Sequence, residues 1–352
     1  MSGDSDDGRK EDFNKLIEKL SPKGLINKVQ DLVAPRPRFN IDKPRYDQST
    51  FEGRFKHFYA IVNPKNLLKS DADLDRAKEI VNKFRQGDAL LDMTDDEIWA
   101  QKALVDSAFN PNTGEKLLPV GRMSAQVPSN MLITGAMMTF YKSNPAQIFL
   151  HWANQTINAI VNYSNRSGAT PISATQIGTA YVLATAAGVG AALGLKHVFR
   201  NANPLFGKFV PFLAVSMSNS ANIPIMRFGE LSMGTSITTE NGKEVGISRI
   251  AGRQGILQVI LSRIVMAIPT MIFLPIVIDG LEKRGAFKKM PKVVAPLQLG
   301  LIGTILLYST PVGCALYPQI HPISPSNLEP ELQEKIKKLP GPPTTLYYNK
   351  GL

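Results

Sequence analysis

The 352-residue chain has a single cysteine, Cys314. That excludes an intramolecular disulfide and any cysteine-built zinc or iron–sulfur site. Cys314 lies in an apolar run and reads as a small buried hydrophobe. The four histidines, His57, His151, His197 and His321, are scattered without the spacing of a metal-ligand set. No acidic residue occurs between Glu115 and Glu230. Up to Glu115 the chain is densely charged with both signs, so the net charge of +11 sits largely on short loops between the later apolar runs. Such loops face an anionic leaflet or the negative side of a membrane. A nucleic-acid surface would need a clustered basic patch interleaved with aromatics, and none is present, so no nucleic-acid partner is expected. No GxxxxGK[ST], HExxH or GxSxG occurs, and the chain is not expected to be an enzyme or to carry a cofactor or metal. The opening MSGDSDDGRKED has no apolar h-region and is too acidic for a transit peptide, so targeting is read from internal segments.

What is present divides the chain in four. Residues 1–38 read as an acidic tail followed by an amphipathic piece (Phe13, Leu16, Ile17, Leu20) and an extended proline-rich stretch. Residues 39–117 read as a water-facing helical region. Phe51, Phe55, Phe58 and Tyr59 form an aromatic core or interface stripe, one helix opens at Ser70, and Thr94 to Glu97 is a capping box. Residues 118–320 hold apolar runs long enough to cross a bilayer. These are Pro145–Tyr163, Pro171–Leu195, Phe209–Met226, Gln254–Ile278 and Val293–Ile320. Val127–Tyr141 is shorter and reads as interfacial or re-entrant. Residues 321–352 form a proline-rich tail with an amphipathic piece over Glu329–Leu339. The fold class is therefore all-α: a multi-pass helical membrane protein of about five transmembrane helices. The loops carrying Lys196, Arg200 and Lys208, and Lys283 to Lys292, fall on one positive side. The count of five then places the N-terminal region on that side and the C-terminus opposite.

Within the first run, HWANQTINAIVNYSNR concentrates amides. At 3.6 residues per turn His151, Asn154, Asn158, Asn162 and Asn165 fall within one arc, flanked by Gln155 and Arg166. Three glycosylation sequons overlap this run, but they lie on a membrane helix and are not read as acceptors. In lipid such a face either hydrogen-bonds neighbouring helices or lines a path for a small polar solute. Arg227 and Glu230 stand i, i+3 after Pro224, where they either pair with each other or hold the carboxylate and ammonium of a zwitterion. Asp279 and Lys283 read as an interfacial anchor. The glycines of GVGAALG lack GxGxxG spacing and suit close helix packing.

FNIDKPRYDQSTFEGRFKHFY, GRMSAQVPSNMLITGAMMTFY, NQTINAIVNYSNRSG, MRFGEL and the terminal YYNKGL together resemble the sideroflexin family, over Phe39 to Leu352. One stretch departs. Where the family commonly shows an HPDTGE-like sequence, Asn110 and Asn112 replace the imidazole and the carboxylate. The resemblance implies a multi-pass carrier in the mitochondrial inner membrane, with the N-terminus in the matrix and the C-terminus in the intermembrane space. It implies serine as solute, with alanine and cysteine as further candidates, supplied to one-carbon metabolism. The candidate solute-binding residues are Asn154, Gln155, Asn158, Asn162, Asn165, Arg166, Arg227 and Glu230. The implied partners are the small neutral amino acid and the lipid bilayer. The other role the family suggests is a non-transporting scaffold tied to iron and haem balance or to assembly of respiratory complex I.

Overall fold

The computed structural model describes residues 39–351, apart from 89–92, 111–112, 165–172, 202–203 and 288–290. The amphipathic piece at 13–20 therefore lies outside the described residues. The water-facing region is built from α1 (Phe51–Ile61), α2 (Asp71–Gln86) and α3 (Asp95–Ala108). Ser70 and Thr94 each close a capping box, with Asp73 and Glu97 returning to the cap N–H, so orphan amide donors at both helix starts are satisfied. Helix α2 stops at Gly87, whose φ of 107° is open to glycine at no steric cost. Leu74, Ala77, Leu104, Ala108 and Phe109 form one core between α2 and α3. Ile41, Val81 and Ile98 form another, where Phe39 stacks on Phe84 and Trp99. The aromatic stripe is an interface: Phe51, Phe55 and Tyr59 stack in sequence, and Tyr59 stacks on Tyr308 of the bundle.

The bundle follows as α4 (Gln126–Thr139), α5 (Asn144–Ser164), α6 (Ala174–Val198), α7 (Pro204–Met226), the short α8 (Phe228–Ser232), α9 (Arg249–Ile268), α10 (Leu274–Lys283) and α11 (Val294–Ala315). Among the described residues, four helical stretches are long and apolar enough to cross a membrane: 175–201, 205–226, 249–283 and 294–315. Helix α5 matches them in length at 21 residues, but its amides make it more polar. This is a helical membrane protein. Pro211 and Pro224 sit inside a continuous α7 rather than interrupting it; each removes one backbone donor, freeing the carbonyls of Gly207 and Ser220. Between α9 and α10 a π-turn over Pro269–Phe273 absorbs Pro269.

Two features depart from the sequence reading. The first is a four-stranded antiparallel sheet of order β2-β1-β4-β3, which an all-α expectation omits. Strands β1 (Thr235–Thr238) and β2 (Glu244–Ser248) form a hairpin between α8 and α9, and β3 (Ile320–Ile323) and β4 (Leu346–Asn349) come from the proline-rich tail. Helix α12 (Pro330–Lys337) covers the sheet, burying Leu332 and Ile336 against Ile237, Val245, Ile323, Leu346 and Tyr348. Strands of four or five residues carry too little alternation to stand out from turns.

The second concerns sidedness. Helix α4 is short, yet it traverses the bundle. It runs antiparallel to α11, with Gly135 facing Leu299 and Met131 facing Gly303. Gly121, before it, meets Ser164 at the end of α5; Tyr141, after it, meets Gly207 at the start of α7. That crossing changes the parity. The loops with Lys196, Lys208 and Lys283 gather at one end, where Lys196 reaches the Lys142 carbonyl and Lys208 binds Asp279 at 3.0 Å. The water-facing helices dock at the other end, through Arg54 to the Ala315 carbonyl (2.8 Å) and Asn110 to the Ser164 carbonyl (2.8 Å). The described N-terminal region and the C-terminal sheet thus share one end of the bundle, away from the basic loops.

Candidate functional site

The polar face of α5 turns inward. Gln147, His151, Asn154 and Gln155 are buried, His151 and Gln155 completely, while Trp152 and Tyr163 on the other side stay exposed. This is the periodicity of the sequence made solid: residues at i, i+4, i+7 and i+8 share a face. Asn158 is half-buried on the same face. The side chain of Asn162, and Asn165 and Arg166 entirely, lie outside the described residues.

Three helices meet at Gln155. Its Nε2 donates to Ser218 Oγ of α7 at 2.7 Å, and Ser218 donates in turn to the Ala184 carbonyl of α6. Gly188 of α6 makes this approach possible. A Cβ there would stand 2.8 Å from Ser218 Oγ and 3.4 Å from His151 Nδ1, too close for the first contact. The glycine run of α6 therefore serves packing, at a point where packing positions polar groups. Nearer the basic end, Gln147 Nε2 donates to the Met137 carbonyl of α4 at 3.0 Å. On the opposite side Thr156 and Tyr181 share a hydrogen bond of 3.1 Å.

On α5 and its neighbours α6 and α7, several buried atoms have no hydrogen-bond partner among the described residues: both ring nitrogens of His151, Nδ2 of Asn154, Oε1 of Gln155, Thr185 Oγ1 and Ser216 Oγ. Leaving a buried donor or acceptor unmatched costs about 1–3 kcal/mol apiece. The set offers a donor in Asn154, an acceptor in Gln155 and a ring able to do either in His151. A groove of about 530 Å³ runs along the outside between α5 and α6, lined by Ile148, Phe149, Trp152, Thr185 and Val189. A cavity of about 390 Å³ lies in the water-facing region beside Tyr46, His57 and Trp99. Neither takes in Asn154 or Asn158.

Arg227 and Glu230 do not join this junction. They pair with each other, Arg227 Nε to Glu230 Oε1 at 2.8 Å, and Arg227 also donates to the Lys350 carbonyl at 2.6 Å. Arg227 lies nine residues beyond Ser218, roughly 13 Å along a helix. Gln176 of α6 caps the end of α7 by donating to the carbonyls of Ile225 and Met226. Asp279 pairs with Lys283 at 2.8 Å and with Lys208 at 3.0 Å, in keeping with an anchor at the basic end. Sequence reasoning left Gln147, Ser218 and Gly188 out of the site. Gln147 was within reach of the spacing rule, one turn before His151. Ser218 and Gly188 carry no signal of their own, because only the fold brings them to α5.

Asn110, where the chain departs from the HPDTGE-like pattern, is buried at the other end of α5. Its Nδ2 holds the Ser164 carbonyl and its Oδ1 accepts from Thr113 N at 3.1 Å. The amide thus ties the water-facing helices to α5, using a donor and an acceptor at once.

The family model described as Sideroflexins matches residues 40–352. Sideroflexin-3 of Homo sapiens is 51% identical over 313 residues, covering 89% of this chain and 98% of its own. Sideroflexin-1 of Ovis aries is 48% identical over 316 residues, covering 90% and 98%. No solved structure matches the chain. A match over nearly the whole length, at about half identity, on a helical membrane fold leaves one conclusion: the chain belongs to the sideroflexin family.

Proposed function

We propose that this sideroflexin is a carrier, not an enzyme, and moves small neutral amino acids, serine foremost, across the mitochondrial inner membrane to supply one-carbon metabolism. One observation carries the reading. Among mostly apolar helices, α5 holds a cluster of fully buried polar atoms that nothing among the described residues satisfies. Asn154 Nδ2 suits a carboxylate, Gln155 Oε1 an ammonium, and the His151 ring a hydroxyl. The half-buried Asn158 continues the path toward the sheet end. The closed junction corresponds to an occluded state of an alternating-access cycle, with α7, freed at Pro211 and Pro224, as the helix able to bend. Arg227 and Glu230, satisfied by one another, hold the C-terminal strand in this state. By the positive-inside rule the basic end faces the matrix, and the water-facing helices and sheet face the intermembrane space.

The test is serine uptake into proteoliposomes. Asn154→Ala and Asn158→Ala are expected to fold normally and to lose saturable uptake. An intact protein that shows no saturable uptake of any small neutral amino acid would overturn the carrier reading. The scaffold reading draws on the Gln155–Ser218–Ala184 chain, which joins three helices as structural glue does. It requires those variants to lose stability and partner assembly together.

A further inference from the structure

A second polar interior lies between α9, α11 and the C-terminal strand. Strand β4 is followed directly by Lys350, whose backbone is fixed on both sides: its N–H donates to the Gln319 carbonyl at 2.7 Å, and its carbonyl accepts from Arg227 at 2.6 Å. This segment packs on α9 at Gly255, where a Cβ would sit 3.4 Å from the Lys350 carbonyl and 3.4 Å from the Tyr348 ring, in ordinary contact. One turn on, Tyr348 donates to Gln258 at 3.1 Å. A further turn on, the backbone at Ser262 abuts Gly313 of α11, beside Cys314. Arg54 closes the far side from α1, donating to the Ala315 carbonyl.

The charges in this corner do not balance. Arg54, Arg227, Arg263 and Lys350 gather here, and Glu230 is already committed to Arg227. Lys350 is 2% exposed, yet its ammonium has no hydrogen bond or ion pair among the described residues. Arg263, half-buried on the apolar α9, also has no hydrogen bond or ion pair among the described residues. The hydroxyls of Ser262 on α9 and of Ser309 and Thr310 on α11 are buried and unpartnered among the described residues, on helices that meet where the Ser262 carbonyl faces Gly313. An unpaired buried cation is among the costliest arrangements a fold can hold, and intramembrane charges mark ion or solute sites.

We propose that Lys350 and Arg263 form a binding site for a small oxyanion, a carboxylate or a phosphate group, closed by the C-terminal strand. The ammonium and the guanidinium supply the charge, and the free hydroxyls supply neutral donors. Burial pushes the Lys350 ammonium down to about 8, with Arg263, Arg227 and Arg54 acting in the same direction, as expected of a cation awaiting its counter-charge. The site stands whether or not the α5 junction carries an amino acid.

The test uses the full chain in detergent at pH 7. Its melting temperature is followed against sodium acetate and, separately, inorganic phosphate, at ionic strength held constant with chloride. Saturable stabilisation by at least one of the two is expected, and it should be lost in Lys350→Met and in Arg263→Gln and kept in Lys350→Arg. If Lys350→Met fails to fold, Arg263→Gln alone decides. Acetate lacks the ammonium an amino-acid site would read, so its response is separable from that of serine. A response to neither anion, or one retained in Arg263→Gln, overturns the proposal.

Discussion

Two polar regions of this molecule treat their hydrogen bonds in opposite ways. In the water-facing helices the polar groups close on one another. Ser70 with Asp73 and Thr94 with Glu97 cap their own helices, Arg85 grips Asp42 through both Nε and NH2, and Lys102 holds Asp106. In the α5–α7 junction, where water is scarcer and the penalty higher, six atoms stay open. Polar groups matched within the chain define a shape. Polar groups left open in an apolar interior define a demand, which a solute can meet and a fold alone does not. The contrast separates parts that hold the protein together from parts that act.

Gln155→Leu breaks that comparison hardest. The substitution removes one hydrogen bond to Ser218, but also the unsatisfied Oε1, and Ser218 keeps its bond to the Ala184 carbonyl. Stability should hold or rise, since removing an unmatched buried group offsets a lost contact. Serine uptake into proteoliposomes should fall to background. A protein that melts lower while transporting normally would move Gln155 into the first category, alongside the capping boxes.

Next in size is the pH response of Lys350. Its folded pKa of about 8 lies below the ordinary lysine value, so between the two the unfolded chain binds the extra proton. Stability in chloride should therefore be lowest below about pH 8 and climb as pH rises toward roughly 10. The groups around it are Arg54, Arg227, Arg263, Cys314, Tyr348, His321, which is neutral across this range, and, through Arg227, Glu230. Lys350→Met should flatten the climb in thermal melts taken across that range. An equal climb in both proteins would show that other lysines produce it.

Arg227→Met should cost about 2 kcal/mol, toward the low end for a broken ion pair because this one is partly exposed. It leaves Glu230 without its cation and frees the Lys350 carbonyl. Hydrogen exchange should quicken first in β4. Exchange unchanged there would mean that Gln319 and Gly255 suffice to hold the strand.

How much of this was legible in the residues follows from where the signal lives. The inward face of α5 was legible because five polar side chains keep helical spacing, and so were the capping boxes, because caps are local. The crossing of α4 was not. Fourteen residues fall short of a span, and its passage depends on Gly135 and Gly303 admitting Leu299 and Met131, a match between segments far apart in the chain. The sheet was hidden for the same reason, since β1 and β4 pair across more than a hundred residues. Arg227 and Glu230 were readable as a pair, but their hold on the tail was not. Lys350 gives no warning in the sequence: a lysine in YYNKGL reads as solvated until the strand docks on Gly255.

The smallest effect tests the saturated side of the contrast. Thr94→Ala removes a side chain that accepts from Glu97 N at 3.3 Å and strips Glu97 of one partner in the return half of the box. Its expected cost is about 1 kcal/mol, the usual worth of an N-cap. Helix α3 carries Ile98 and Leu104 into the two small cores of this region, so fraying should show as faster amide exchange at its first turn. Serine uptake should be untouched, because the link from α3 to α5 runs indirectly, through the segment that follows α3, where Asn110 holds the Ser164 carbonyl. If uptake nevertheless fell in step with stability, that amide tether would be transmitting the state of the water-facing helices to the transport helix. The matched region would then be a control element rather than a passive frame. Combining Thr94→Ala with Asn110→Ala distinguishes the two: independent parts give additive losses, whereas a shared path gives a double variant no worse than its weaker parent.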